Sequence, residues 1–234
     1  MILVIPLAGL GTRYKNKGFD LPKPLIEIDG KTILAHSFES VKKIKYSRLI
    51  FIALREHEEL YSIKKNIKKN IASEFELILI DKPTQGQMCT VLEASKYFNS
   101  EESLLIASSD TIVENNLDIQ LENFIYDGLI SVIEADGDEW SFAKTDDRGN
   151  VIEVAEKRRI SNYASTGIYF FKRSTDFYHY ALEIINKKIK TKGEYYIMPM
   201  YNLMIRDNLK IKIALAKNFW DLGTPEKKLI FEKR

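Results

Sequence analysis

The opening of the chain, up to Ile28, limits what the rest can fold into. Ile2 to Leu7 is an unbroken apolar run, the pattern of a strand buried on both faces. It passes at once into Ala8-Gly9-Leu10-Gly11-Thr12-Arg13. Ten residues past Arg13 comes Lys23, held between Pro22 and Pro24, and then a second apolar run, Leu25 to Ile28. A buried strand that ends in glycine-bearing backbone leaves N–H groups a ligand can approach closely. Arg13 and Lys23 place positive charge at the same end. An anion fits that chemistry, and a polyphosphate fits it best.

Two common phosphate loops are excluded. The dinucleotide pattern G-x-G-x-x-G needs glycine at position 14, where Tyr14 stands, and no Gly-Lys-Ser/Thr follows Gly9 or Gly11 at P-loop spacing. Beyond the loop, strand and helix patterns alternate. The spacing predicts a helix over 32–44, a strand over 48–54, a helix over 57–71, a strand over 75–80, a helix over 90–98 and a strand over 103–109 ending at Asp110. Such alternation implies an α/β fold with a mostly parallel sheet flanked by helices. Ligands of these sheets bind at the carboxyl ends of strands, where both the glycine loop and Asp110 lie.

The second half reads differently. Leu129 to Ala135 is strand-like. Trp140–Thr145 and Val151–Ala155 read as a small β-hairpin added around Asp147-Arg148-Gly149-Asn150. Thr166–Lys172 is a further strand. Ser174–Lys190 is a long helix with Ser174 as its cap, and a helix from Pro199 precedes a strand over 210–216. Thr224-Pro225-Glu226 starts a last helix with cap, proline and acidic first turn in order. No repeat or Pro/Gly/Ser-rich linker divides the chain. It reads as one domain over 1–234, whose first half, 1–125, carries the anion loop and whose second half, 126–234, carries the substrate-facing additions.

Ala-Gly-Leu-Gly-Thr-Arg-Tyr followed by Pro-Lys-Pro-Leu resembles the signature of the sugar-phosphate nucleotidylyltransferases (nucleotide-sugar pyrophosphorylases) and their short phosphocholine-cytidylyltransferase relatives. The resemblance runs from Leu3 to Pro225. It implies a Rossmann-like fold of the nucleotide-diphospho-sugar transferase type and an enzyme that moves a nucleotidyl group from an NTP to a phosphorylated acceptor. It also implies roles for particular residues. Leu7, Ala8, Gly9, Gly11 and Thr12 would cradle the triphosphate, with Arg13 on the leaving phosphates and Lys23 on the α-phosphate. Asp110, and Asp221 in the Trp220-Asp221-Leu222-Gly223-Thr224-Pro225 segment, would hold Mg²⁺. Ser109 stands where the family has glycine, beside the nucleotide.

In Asp81–Thr90, Gln85 or Gln87 can bond a pyrimidine edge, and Gly86 admits the base near the backbone. Glu156 and Lys157, Thr166-Gly167-Ile168-Tyr169, and Glu194 resemble acceptor-binding positions. Arg158 and Arg159 either add charge for an acidic acceptor or are solvated. Singly, each of these residues also has a plain reading as surface ion pair, strand core or helix-start acid; it is their order along the chain that favours function. The expected partners are CTP, UTP or dTTP and a phosphorylated small molecule. A sugar 1-phosphate is first, and the product would be an NDP-sugar for surface polysaccharide. The alternatives are a CTP-dependent enzyme acting on phosphocholine, a polyol phosphate or a phosphorylated amino acid, and a non-catalytic nucleotide-sugar-binding subunit. A glycosyltransferase of this fold would show D-x-D at the fourth strand's end, where Ser108-Ser109-Asp110 stands.

Composition narrows the partners. The 35 basic and 33 acidic residues leave a formal charge of +2, too little to attract nucleic acid. The lysines of 64–69 have helical spacing without aromatics and read as a solvated face. A lone cysteine, Cys89, builds neither a disulfide framework nor a cysteine zinc site. The three histidines, His36, His57 and His179, match no triad or metal spacing. No apolar segment approaches the ~20 residues a membrane helix needs, and no leader pattern precedes the first strand. The expectation is a cytoplasmic protein without nucleic-acid or membrane partners, with a homo-oligomer left open.

Overall fold

The computed structural model describes residues 1–72 and 74–234. In chain order the elements are β1 (Ile2–Pro6), α1 (Thr12–Lys15), β2 (Glu27–Ile28), β3 (Lys31–Thr32), α2 (Ile33–Phe38), β4 (Arg48–Leu54), α3 (Arg55–Tyr61) and α4 (Ile63–Asn70). They continue with β5 (Glu76–Ile80), α5 (Gln87–Leu92), β6 (Leu104–Ala107), β7 (Thr111–Glu114), α6 (Leu117–Gln120), β8 (Gly128–Glu134), β9 (Ser141–Thr145) and β10 (Val151–Glu156). The last are β11 (Tyr163–Phe171), α7 (Ser174–Asn186), α8 (Met200–Arg206), β12 (Ile211–Leu215), β13 (Asn218–Asp221) and α9 (Pro225–Glu232).

The apolar run that opens the chain becomes the central strand. β1 pairs in parallel with β4 on one side and β6 on the other, and β4 pairs in parallel with β5. Its alternate residues feed two cores. Ile2 and Val4, with Ile50 and Ile52, face helices α5, α7 and α8. Leu3 and Ile5, with Leu49 and Phe51, face α2 and α4. A strand covered on both faces must be apolar throughout, which is what 2–7 shows. The sheet is mixed: β11 runs antiparallel to β6, β8 and β9, β9 and β10 form the expected hairpin, and β8 and β12 pair in parallel. Both halves of the chain thus share one nine-stranded sheet.

Four expected elements differ. Thr32 caps α2 by accepting from the Ala35 N–H at 3.1 Å, but the helix stops at Phe38 and turns carry Val41 and Ile44 into the core. The helix expected over 57–71 is two, broken where Ser62 enters the left-handed region at φ 49°. The helix expected from Thr90 starts at Gln87, and the Thr90 hydroxyl instead meets that of Thr84 at 2.7 Å. Ser174 does not cap α7, because its hydroxyl is spent on the backbone of Asn99, accepting at 2.8 Å and donating at 2.7 Å. The sequence reading missed one pairing altogether: β7 and β13 form a separate antiparallel ribbon with Thr111 opposite Asp221. That ribbon positions the site. Among the described residues no helix is long and apolar enough to cross a membrane.

Candidate active site

The ladder of β1 closes when the Leu7 N–H donates to Ile52 O at 2.7 Å. Beyond it, the N–H groups of Ala8, Gly9, Leu10, Gly11, Thr12 and Arg13 meet no protein acceptor among the described residues. Buried or cleft amides are normally paired, so this run is a ready cradle for anionic oxygens. Gly11, at φ 61°, turns the loop into α1. The proline-flanked segment folds back against the loop, a Cβ on Gly11 lying 3.4 Å from that of Lys23. The Lys23 ammonium reaches Asp110 Oδ2 at 2.5 Å.

Asp110 lies in the link from β6 to β7, and Asp221 ends β13. Their strands pair, so residues 111 positions apart in the chain stand at one ribbon end. The Leu222 N–H donates to Asp110 O at 2.7 Å and the Gly223 N–H to Asp221 Oδ1 at 2.6 Å. A Cβ at Gly223 would sit 2.8 Å from Asp221 Oδ1 and 3.4 Å from Asp110 Oδ2. The two carboxylates therefore flank a space kept open by a missing side chain. Beneath it Tyr14, fully buried, donates its hydroxyl to Leu222 O at 2.8 Å with Thr224 O at 3.1 Å. Burial, and then the negative charges of Asp110 and Asp221, push the Tyr14 phenol well above its ordinary range. Two hard oxygen donors around that gap fit a divalent cation that takes its other ligands from phosphate and water.

The loop, Lys23 and Asp110 line one cleft of about 580 Å³, closed on the far side by Thr84, Gly86 and Gln87 and by Lys157, Glu194 and Tyr196. A profile described as nucleotidyl transferase matches residues 2–229. The chain belongs to the nucleotidyl transferase family. It is 28% identical over 230 residues to the bifunctional protein GlmU of Methanocaldococcus jannaschii, covering 96% of this chain and 52% of that protein. It thus spans about half the length of that relative. It is also 28% identical over 245 residues to the UTP–glucose-1-phosphate uridylyltransferase AglF of Haloferax volcanii, covering 100% of this chain and 96% of AglF. A crystal structure of a nucleoside-diphosphate-sugar pyrophosphorylase from Vibrio cholerae RC9 superposes with a TM-score of 0.88 at 28% identity, covering 99% of this chain and 100% of that one.

Within this nucleotidyl transferase fold, Leu7, Ala8, Gly9, Gly11, Thr12, Lys23, Gly86, Ser109, Asp110, Lys157 and Glu194 line the cleft. Arg13 stands exposed outside its lining. Of the two glutamines, Gln87 lines the cleft and Gln85 does not; the Gln85 side-chain oxygen accepts from Lys190 Nζ at 2.7 Å. Thr166 and Tyr169 are buried behind the wall: Thr166 Oγ1 donates to Ser131 Oγ at 2.8 Å, and the Tyr169 hydroxyl accepts from Ser165 Oγ at 3.0 Å. Gly167, at φ 83°, lets the β11 bulge pass under Ser108, whose N–H donates to Gly167 O at 3.0 Å. These three support the wall and do not line the cleft.

Glu156 is enclosed, its side chain 2% exposed. One oxygen accepts from Ser141 Oγ, and the other has no hydrogen-bond partner, with Lys157 Nζ at 3.6 Å. Burial pushes its carboxyl above the usual carboxylate range, against the lowering effect of Ser141 and Lys157. Arg158 pairs with Glu153, and Arg159 ties Gly137 O and Asn162 together, so neither faces the cleft. Tyr196, one of four tyrosines that the sequence offers for a cation cage, lines the cleft beside Glu194, its phenol raised to about 12 by burial and then by Glu194 and Glu156. Sequence reasoning missed Lys227, which reaches Asp221 Oδ2 at 2.5 Å; its one local signal is a cation at the third position of a capped helix, where an acid or amide is usual.

Proposed function

We propose that this domain transfers a nucleotidyl group from a pyrimidine nucleoside triphosphate to the phosphate of a sugar 1-phosphate. The observation that carries the reading is the Gly223 gap flanked by Asp110 and Asp221, of which Asp110 is joined through Lys23 to the cleft that the unpartnered amides line, while Asp221 stands just outside that lining. In the reaction an acceptor phosphate oxygen forms a bond to the α-phosphorus while the bond to the β-phosphate oxygen breaks and pyrophosphate leaves. The attacking oxygen is already anionic, so no general base is needed, and alignment and charge neutralisation are what the protein supplies. Amides of Ala8 to Thr12 hold the triphosphate. Lys23 balances charge growing on the α-phosphate, with Arg13 at the rim for the leaving pyrophosphate. Asp110 and Asp221 would hold Mg²⁺, which supplies Lewis-acid charge and a common template for the two phosphates when bound.

On the acceptor side, Lys157, Glu194 and Tyr196 offer a cation, an acceptor and a hydroxyl at the cleft wall. That set suits a phosphorylated, hydroxyl-rich acceptor such as a sugar phosphate better than a quaternary ammonium. Of the four tyrosines near this wall, Tyr163, Tyr169, Tyr195 and Tyr196, only Tyr196 lines the cleft, and one ring does not make a cation cage. AglF is named for UTP and glucose 1-phosphate, so that pair heads the test. Pyrophosphate release is measured with CTP, UTP, dTTP, ATP and GTP against glucose 1-phosphate, mannose 1-phosphate, phosphocholine, glycerol phosphates and phosphorylated amino acids. Release with one pyrimidine triphosphate and one sugar 1-phosphate is expected. Release only with phosphocholine, a glycerol phosphate or a phosphorylated amino acid overturns the sugar assignment. Binding of nucleotide sugar without turnover overturns transfer.

A further inference from the structure

Lys227 occupies a place its own helix disfavours. Thr224 is the cap and Pro225 the first residue of α9, which makes Lys227 the third helical residue. That position usually carries glutamate or glutamine, and a cation in the first turn opposes the helix dipole. The side chain turns back instead, placing its ammonium 2.5 Å from Asp221 Oδ2 and 4.4 Å from the centre of the Trp140 ring. Trp140 packs edge-on against Phe219 of β13, and its carbonyl accepts the N–H of Lys157, which lines the cleft. Lys227 therefore spans the second carboxylate and the hairpin wall.

Each carboxylate at the Gly223 gap thus carries its own lysine. Lys23 holds Asp110 from the triphosphate loop, and Lys227 holds Asp221 from the hairpin side. A divalent cation needs the same oxygens, and an ammonium 2.5 Å from one of them competes with it by like-charge repulsion. Once displaced, the Lys227 ammonium remains tethered beside Trp140 and needs a new anion on the hairpin side. On the transfer reading, the acceptor's phosphate is the anion that has to come up to this pair of carboxylates. We propose that Lys227 is a second phosphate-handling cation: it balances Asp221 until a divalent cation takes that carboxylate, and then holds the acceptor's phosphate. This rests on the transfer reading above.

The test uses the full chain, with Lys227→Met and Lys227→Arg. Mn²⁺ binding to nucleotide-free protein is read by electron paramagnetic resonance, and steady-state KM values are taken for the triphosphate and acceptor that pyrophosphate release selects. Removing the competing ammonium should tighten Mn²⁺ about fivefold in Lys227→Met, the range of a partly exposed ion pair. The acceptor KM should rise about tenfold or more, as for a lost charge-assisted hydrogen bond, with the triphosphate KM unchanged. Lys227→Arg should keep the acceptor KM within about threefold of the parent, since both side chains offer a positive donor. Unchanged Mn²⁺ affinity or unchanged acceptor KM in Lys227→Met overturns the assignment. So does a fall in melting temperature with both values intact, which marks a helix anchor only. If the parent protein neither binds Mn²⁺ nor turns over any pair, the transfer reading itself fails; if it does both, only Lys227 is at issue.

Discussion

Glu156 shows how a single residue trades stability for a site. A carboxylate enclosed by protein with one oxygen unbonded is costly unless it is protonated or receives a donor from outside. Its acidity is weakened in the folded protein, first by burial. A raised carboxyl contributes stability that is full below the ordinary carboxylate range and lost as pH climbs through the folded value. Glu156→Gln should therefore melt higher than the parent at pH 7, by a few degrees on the order expected for ~1 kcal/mol in a chain of this size. The gain should shrink toward nothing below pH ~4, where the glutamate is neutral in both states. Melting curves at both pH values check this, and a gain that persists in acid sinks the account. Turnover should also fall in the same variant on the acceptor-binding role that the sequence motif implies, a role that requires the side chain to swing out to a cleft it does not line here. Lys23 works in the opposite direction. A cation ~4 Å from phosphate charge is worth roughly 4 kcal/mol near a protein surface. Losing it in the transition state slows reaction on the order of a thousandfold. Lys23→Ala, Asp110→Ala and Asp221→Ala should each lose most pyrophosphate release while keeping a native circular dichroism spectrum. Near-parent turnover in any of them removes that residue from the scheme.

At the scale of elements, the site depends on close approaches that only glycine allows. Gly86 stands at φ 129°, and a Cβ there would lie 2.5 Å from Tyr195 O. Two backbone bonds stitch the same segments together, Tyr195 N–H to Gln85 O at 2.8 Å and Met88 N–H to Tyr195 O at 3.3 Å. Gly86→Ala must separate the nucleotide wall from the acceptor wall, costing about 1–3 kcal/mol of overpacking on top of backbone strain. A drop of several degrees in melting temperature together with a raised triphosphate KM is expected, and a variant unchanged in both would show that the approach is dispensable. This contact also marks what the sequence could and could not reveal. β1 and β4 were legible because a strand sandwiched between helices must be apolar along its whole length. The last helix was legible because its cap and proline are local. The β7–β13 ribbon was not: its strands are four residues each, mixed in polarity, and joined by a pairing that spans over a hundred residues. The same long range hid the contact that draws Gln85 away from the cleft, a bond to Lys190 more than a hundred residues on. Asp110 and Asp221 were named from their motif, yet only the ribbon explains why they face one gap.

Over the whole molecule, the first and last segments form one device. The signature helix α1 buries Tyr14, and that residue's hydroxyl holds the backbone of Leu222 across 208 positions of sequence. The same loop carries Gly223, whose N–H fixes Asp221. Triphosphate loop and second carboxylate are thereby coupled through a single buried phenol, and rigidity of one end sets the geometry of the other. Tyr14→Phe keeps the ring and its edge-on packing against Phe19, 5.2 Å between centroids, and removes only the donor. The carbonyls of Leu222 and Thr224 then lose a buried partner, a cost of roughly 1–2 kcal/mol. A fall of about 2–4 °C in melting temperature per kcal/mol is expected at this size. A merely structural phenol would show that loss and nothing more. The coupling predicts a second effect: saturating Mn²⁺ stabilises the parent in proportion to ln(1 + [L]/Kd), about 2.7 kcal/mol at a hundredfold excess over Kd. In Tyr14→Phe the same Mn²⁺ concentration should yield a smaller rise, because the loop that presents Asp221 is no longer fixed from below. Equal increments in the two proteins, measured by thermal melting with and without Mn²⁺, would leave Tyr14 a core residue and uncouple the signature from the carboxylate it lies beneath.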